Sequence, residues 1–474
     1  MPQNQLFFKA LALLAAALSI VPSTSFSALE PLGPENLVNT TSSGYEATPH
    51  IVSDQNNNRL IVWTSEDRTK SDGPAILGQF YNQYREAVGP EMTLVPSTSN
   101  IARIPRANDY PHFAVTMWKD GSFALAWSET STPDDETDND YDLTIQFFNP
   151  DGSPSAPALS VSDTTDKEAL PALSSNANSL VIAWQTFPNR KTKEKQNNAI
   201  KFKRYNKNGS LIGNTVTNLR LDSSSNIGRK PSVSLDNDNN VLIAWASGDN
   251  SIASQEDPRP KPEYSISGAL FSQNNSPIGN PLSLGEFEDY PSNIFVADFD
   301  DTSFLAFWDT GKEGSESPQG RIIGKNGTLG KLFTNSTSSS DIVSGITQGN
   351  KGNAFIAWSR SNNGGLEKSL YIQELTANGE MGSPTKATSF TNTEENHVSL
   401  HMDRNGILVA AWESWIENDE DAPDIYARSF ETKEDRQSTN KEDSGSSSGG
   451  SSGGSLPHFI LLMLLSVGLV RKYH

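Results

Sequence analysis

Seven short apolar runs, each closed by tryptophan, limit what this chain can fold into more than any other feature. Val62-Trp63, Ala126-Trp127, Ala183-Trp184, Ala244-Trp245, Phe307-Trp308, Ala357-Trp358 and Ala411-Trp412 end near-copies of Leu242-Ile243-Ala244-Trp245. Successive motif tryptophans stand 50 to 64 residues apart. A fixed kernel with spacers of varying length marks an array of like units, as in propellers and solenoids. Each run is too short for a helix, does not alternate and is bounded by Asn, Asp, Gly or Ser, so it predicts a strand buried on both faces. The indoles then belong to the core, where burying one contributes roughly 1.5–3 kcal/mol or more.

Three further strands group around each kernel. Ahead of it lies a run that often opens with proline, as in Pro49–Ser53, Pro111–Val115, Pro171–Ser174, Pro231–Leu235 and Pro291–Ala297. A polar turn such as Asp54–Asn58, Asp236–Asn240 or Asp403–Gly406 joins the two as a hairpin. After a long variable loop come a third strand (Leu143–Phe148, Ile200–Tyr205, Ser265–Phe271, Tyr371–Leu375) and a weaker fourth (Leu211–Leu219, Ile278–Leu284). Four antiparallel strands in seven units predict an all-β, seven-bladed β-propeller over residues 29–432. The seventh unit has a third strand, Asp424–Phe430, but no fourth. Leu32-Gly33-Pro34-Glu35-Asn36-Leu37-Val38 has the pattern of Ile278–Leu284, so residues 32–40 are expected to supply that outer strand and close the last blade.

The chain has no cysteine, which excludes disulfides, thiolate metal sites and a thiol nucleophile. A net charge of −20 argues against a nucleic-acid partner. Lys9, the apolar run Ala10–Val21 and the small residues up to Ala28 have the layout of a signal peptide spanning residues 1–28. At the other end, residues 433–455 form a linker rich in Gly and Ser, and residues 456–474 carry the apolar segment Phe459–Val470 followed by Arg471-Lys472. That apolar segment is shorter than the roughly 17–25 residues of a stable membrane span. The order of Gly-rich stretch, apolar segment and basic end resembles the GlyGly-CTERM sorting signals of Gram-negative bacteria. The resemblance implies export, trimming by a rhomboid-type protease, and a place at the cell surface or outside it, with membrane contact only through the tail. The repeats themselves resemble those of secreted bacterial surface proteins. The sialidase Asp-box does not fit, because Ser234-Leu235-Asp236 precedes Trp245 by a whole turn.

In a propeller, the loops after the kernel strands and those between blades share one face, which makes it the expected binding surface for an extracellular protein or glycan. Its charge is uneven. Asp134, Asp135, Glu136 and Asp138 crowd one loop, Arg190 and Lys191 stand in the next, and Trp415 lies outside the repeat pattern. No cofactor is required, although Asp236-Asn237-Asp238 and Asp298-Phe299-Asp300-Asp301 offer carboxylates of the kind calcium takes. His50, His112 and His397 fall at equivalent places in units one, two and seven, a candidate divalent-metal cluster. Glu129, Glu413 and Asp309 just beyond the kernels are the carboxylates available to the alternative reading, a carbohydrate-active enzyme. No nucleophile motif or phosphate loop is present, so the sequence favours a binding protein over an enzyme.

Overall fold

The computed structural model describes residues 29–432 apart from 41–43, 68–72, 102–112, 131–140, 163, 165, 188–198, 214–218, 220–225, 250–263, 288–292, 310–317, 335–340, 363–366, 391–392 and 417–422. These residues form 28 strands, and the 3-10 turn Ser97–Ser99 is their only helical element. The strands make six open, almost wholly antiparallel sheets, most of them four-stranded. The largest, of nine strands, is two such meanders joined at one parallel pair, Lys368 with Glu394.

Every kernel is the second strand of a meander: Arg59–Glu66, Phe123–Thr130, Ser179–Phe187, Val241–Asp249, Ser303–Trp308, Ala354–Asn362 and Leu408–Ile416. The motif tryptophans are buried, none more than 3% exposed. Apolar residues on both faces of the kernel strand explain the core's layout. Among the described residues it consists of seven clusters, each uniting residues of two units. Six join neighbours in the chain, and the seventh packs Ile51, Ile61 and Trp63 of the first unit against Val409, Ala411 and Ile425 of the last. Trp358 also stacks on Tyr371 at a centroid distance of 6.5 Å. Trp358→Ala is expected to cost about 3–5 kcal/mol in denaturant unfolding, and a loss below about 1 kcal/mol would refute tight packing at this site.

The chain's first described segment pairs with its last. Leu29–Pro31 and Asn36–Leu37 both lie antiparallel to Asp424–Thr432. The pairing therefore begins earlier than residue 32 and is interrupted where Gly33, at φ 102°, turns the backbone. Leu32 and Val38 still donate to Ser429 O and Ile425 O at 2.8 Å each. Glu35 then accepts from Ser389 Oγ at 2.6 Å and from Arg428 at 3.4 Å.

In the first, third and fourth units the first strand also begins earlier than its proline. Observed strands run Tyr45–Ser53, Lys167–Ser175 and Asn226–Leu235, which places Pro49, Pro171 and Pro231 inside them. A β-bulge accommodates each one, with register shifts at Ala47/His50, Ala169/Ala172 and Arg229/Ser232. The residue before each proline has positive φ: Thr48 at 53°, Leu170 at 57° and Lys230 at 51°. His397, at 46°, repeats the device in Thr393–Met402 without a proline. Proline lacks the N–H that a bulge would leave unpaired, which is why it is tolerated there. Of the expected fourth strand Leu211–Leu219 in the third unit, residues 214–218 lie outside the described residues, and its two ends form the bridges of Leu211 with Tyr205 and Leu219 with Ile200.

Candidate functional site

The seven first strands lie side by side in chain order, and the last, Thr393–Met402, lies against the first, Tyr45–Ser53. Serine hydroxyls tie several of these neighbours together. Ile51 N–H donates to Ser399 Oγ, Leu235 N–H to Ser174 Oγ and Val296 N–H to Ser232 Oγ, each at 3.0 Å. All seven strands contribute to one cavity of about 360 Å³. Its lining includes Phe113, Val115, Leu173, Val233, Phe295 and Ile346, together with the bulge residues Thr48, Leu170, Lys230 and His397. Among the described residues, no Asp or Glu lines it.

The bulges are held from outside the cavity. Lys230 N–H donates to Gln185 Oε1 at 3.1 Å, and Thr48 N–H to Glu413 Oε2 at 3.4 Å. Gln185 and Glu413 each follow a motif tryptophan, so the kernel of one unit steadies the bulge of the next. A non-Gly residue at positive φ costs roughly 1–2 kcal/mol, and such strain concentrates where a backbone shape is needed.

Glu413 is the hub of the most polar corner. It is 2% exposed, bonds His397 Nδ1 through Oε2 at 3.0 Å and accepts from Trp415 Nε1 at Oε1, 2.7 Å away. Burial pulls its carboxyl up, but His397, Trp415 and the Thr48 N–H outweigh that and hold it below the ordinary carboxylate value. Trp415 meets Tyr45 edge-on at 5.2 Å. His50 stands edge-on to Phe113 at 4.8 Å, and burial, reinforced by His397, pushes it down to about 4.

The candidates from sequence therefore separate. His50 and His397 both line the cavity, whereas His112 lies outside the described residues. Among the described residues, no three acidic or histidine side chains gather as a metal site. Trp415 is half-buried and hydrogen-bonded. Asp134, Asp135, Glu136, Asp138, Arg190 and Lys191 lie outside the described residues. The proposed calcium turn at Asp236 is already occupied, because Lys325 Nζ sits 3.1 Å from Asp236 and 3.2 Å from Asp298. The three carboxylates beyond the kernels are likewise engaged. Glu129 accepts from Trp127 Nε1 at 2.8 Å, Asp309 from Asn293 N–H at 3.0 Å, and Glu413 as above.

Sequence alone does not single out three fully buried acids, Glu46, Glu168 and Glu395, at equivalent places two residues before a bulge. The repeated Glu46-Ala47-Thr48-Pro49 and Glu168-Ala169-Leu170-Pro171 are the signal that finds two of them. Glu46 accepts from Trp63 Nε1 at 2.6 Å and Ser65 Oγ at 2.8 Å, and Glu395 from Thr393 Oγ1 at 2.7 Å. Burial pushes all three up to about 7 against these donors. Their folded values exceed the unfolded 4.5, so the stability they contribute is fully present below pH 4.5 and is lost as pH rises through 7. His50 and His401, both pushed down to about 4, oppose this by losing stability as pH falls from 6.5 through 4. Glu395→Gln isolates one carboxyl. The variant's stability relative to the parent is expected to rise by on the order of 2 kcal/mol between pH 5 and pH 8, and a pH-independent difference would disprove the assignment.

No family model matches this sequence, and no curated protein is similar to it. Solved structures do resemble its fold. A protein of unknown function from Dyadobacter fermentans aligns at TM-score 0.50 and 7% identity over 85% of this chain and 99% of its own. A sialidase from Streptococcus pneumoniae aligns at 0.46 and 10% identity, over 85% of this chain and 71% of its own. Polysaccharide lyase Uly1 aligns at 0.46 and 8% identity, over 85% and 99%. At such identities the likeness is one of fold alone, a propeller-like all-β arrangement.

Proposed function

We propose that this chain is an exported, surface-associated binding protein, a seven-bladed propeller whose loop-rich face meets an extracellular protein or glycan. The blade count rests on seven kernels and seven clusters, the last of which joins the first unit to the seventh. The single observation that favours binding over hydrolysis is the state of the carboxylates. Glycoside hydrolysis takes a pair of carboxyl groups facing the substrate. Among the described residues none faces the cavity, and Glu129, Asp309 and Glu413 are bonded to indoles, backbone or histidine.

Purified protein is expected to give saturable binding on arrays of extracellular proteins and glycans, with no product from a panel of chromogenic glycosides and polysaccharides. Turnover abolished by Glu413→Gln would replace this reading with the enzymatic one. For export, mass spectrometry of the mature chain is expected to find a start near residue 28 and a new end within 444–474. An intact full-length chain in the cytoplasmic fraction would refute that address.

A further inference from the structure

Among the described residues, eight polar ones line the cavity, and four of these are engaged elsewhere. Thr48 Oγ1 bonds Thr64 Oγ1 at 3.2 Å, Ser344 Oγ donates to Ile342 O at 3.3 Å, His397 bonds Glu413, and Lys230 interacts with other groups. The other four keep hydrogen-bonding capacity. No described hydrogen bond reaches the ring of His50, and burial leaves that ring neutral, with one N–H to donate and one nitrogen to accept. Asn293 donates from Nδ2 to Val343 O at 2.7 Å, while its Oδ1 meets no described donor. Ser232 and Ser399 accept from Val296 N–H and Ile51 N–H, so each still has a hydroxyl proton to donate.

These four stand in two pairs. Ser399 bonds the N–H of Ile51, the residue after His50, and Ser232 bonds that of Val296, in the strand Ile294–Asp300 that Asn293 immediately precedes. Following the first strands from neighbour to neighbour, the strand of His50 is three places from Ile294–Asp300 in one direction and four in the other. The two pairs therefore lie on nearly opposite sides of the cavity. Apolar side chains separate them on both flanks, Phe113, Val115 and Leu173 on one and Ile346 on the other.

We infer that this cavity binds an uncharged single-ring molecule with a hydrogen-bonding group at each end, one end on His50 and Ser399 and the other on Ser232 and Asn293. Its volume, about 360 Å³, is near the lower end for ligand pockets and suits one ring. A carboxylate finds Lys230 and His397 already engaged, and an ammonium finds no described acid in the lining. A sugar, with hydroxyls all round its rim, would press some of them unbonded against the apolar flanks. The lining comes from the first strands and their starts, so the occupant is independent of any partner at the loop face.

Calorimetry on the full chain with 1,4-benzenedimethanol, a ring with a hydroxyl group at both ends, tests this against benzyl alcohol, terephthalate and methyl glucoside. The diol is expected to bind saturably and each of the other three at least about tenfold more weakly. His50→Phe keeps a ring beside Phe113 and is expected to weaken the diol about tenfold, while benzyl alcohol, which can use the other end, changes by less than about threefold. Equal affinity for the diol and benzyl alcohol would overturn the proposal, as would no saturable binding of the diol or tighter binding of terephthalate or methyl glucoside. A folded His50→Phe protein with unaltered affinity for the diol would overturn it as well. The ligand comparison uses the unaltered protein, so it decides the matter even where the variant fails to fold.

Discussion

Arg59→Ala is expected to destabilise the protein by about 3–5 kcal/mol, read as a lower denaturant midpoint at unchanged slope. Arg59 leads the first kernel strand, and its guanidinium bonds Asp403 in the last unit's hairpin, with the two side chains 4% and 2% exposed. Removing one partner leaves the other charged and dry. Asp403 also accepts from Asn405 N–H and Ile407 N–H at 2.9 Å each, so its loss would break the turn as well. The informative double variant is therefore Arg59→Met with Asp403→Asn, which keeps an oxygen for the turn. It is expected to recover most of the loss, because a matched neutral pair needs no counter-charge. An Arg59→Ala protein within about 0.5 kcal/mol of the parent would mean that the first and last units do not meet as described.

Deleting residues 29–40 is expected to do more damage. That segment places Leu29 in the cluster with Phe355 and Trp412, and Val38 in the cluster with Trp63. Asn39 adds a reciprocal pair, donating from Nδ2 to Asp424 Oδ1 at 2.7 Å and accepting from Ile425 N–H at 2.8 Å. Two buried aliphatic side chains are worth roughly 1.5–3 kcal/mol each, before the ladder and the exposed edge of Asp424–Thr432 are counted. The truncated chain is expected to melt about 10 °C or more lower, or without a single cooperative transition, and a synthetic peptide of residues 29–40 is expected to raise its melt. An unchanged melt without the segment would rule out its closing role.

Much of this architecture is legible in the chain because tryptophan after a β-branched run has few other uses. The unit rhythm and most hairpin turns follow from it. Asp54 and Asp236 accept backbone N–H groups four residues on, from Asn58 at 2.9 Å and Asn240 at 2.7 Å, as turn chemistry requires. The bulges were not legible. A proline after Thr48, Leu170 or Lys230 suggests a strand start, since nothing about Thr, Leu or Lys announces a left-handed backbone. The same holds for the partners of Glu413: its place beyond Trp412 marks it as a carboxylate, but not that it bonds His397 and the Thr48 N–H. Only the meeting of the last unit with the first gives it both.

The pairing of Leu29–Pro31 with Phe430–Thr432 also sets a timetable. A chain made or threaded from its amino terminus must keep its opening residues waiting for some four hundred more before their hydrogen-bonding partner emerges. Until then the early units carry an open flank, exposed to mispairing with other chains, and such long-range closure makes folding slow. Helpers that act on this protein are thus expected to matter most in the interval before its final strand is released.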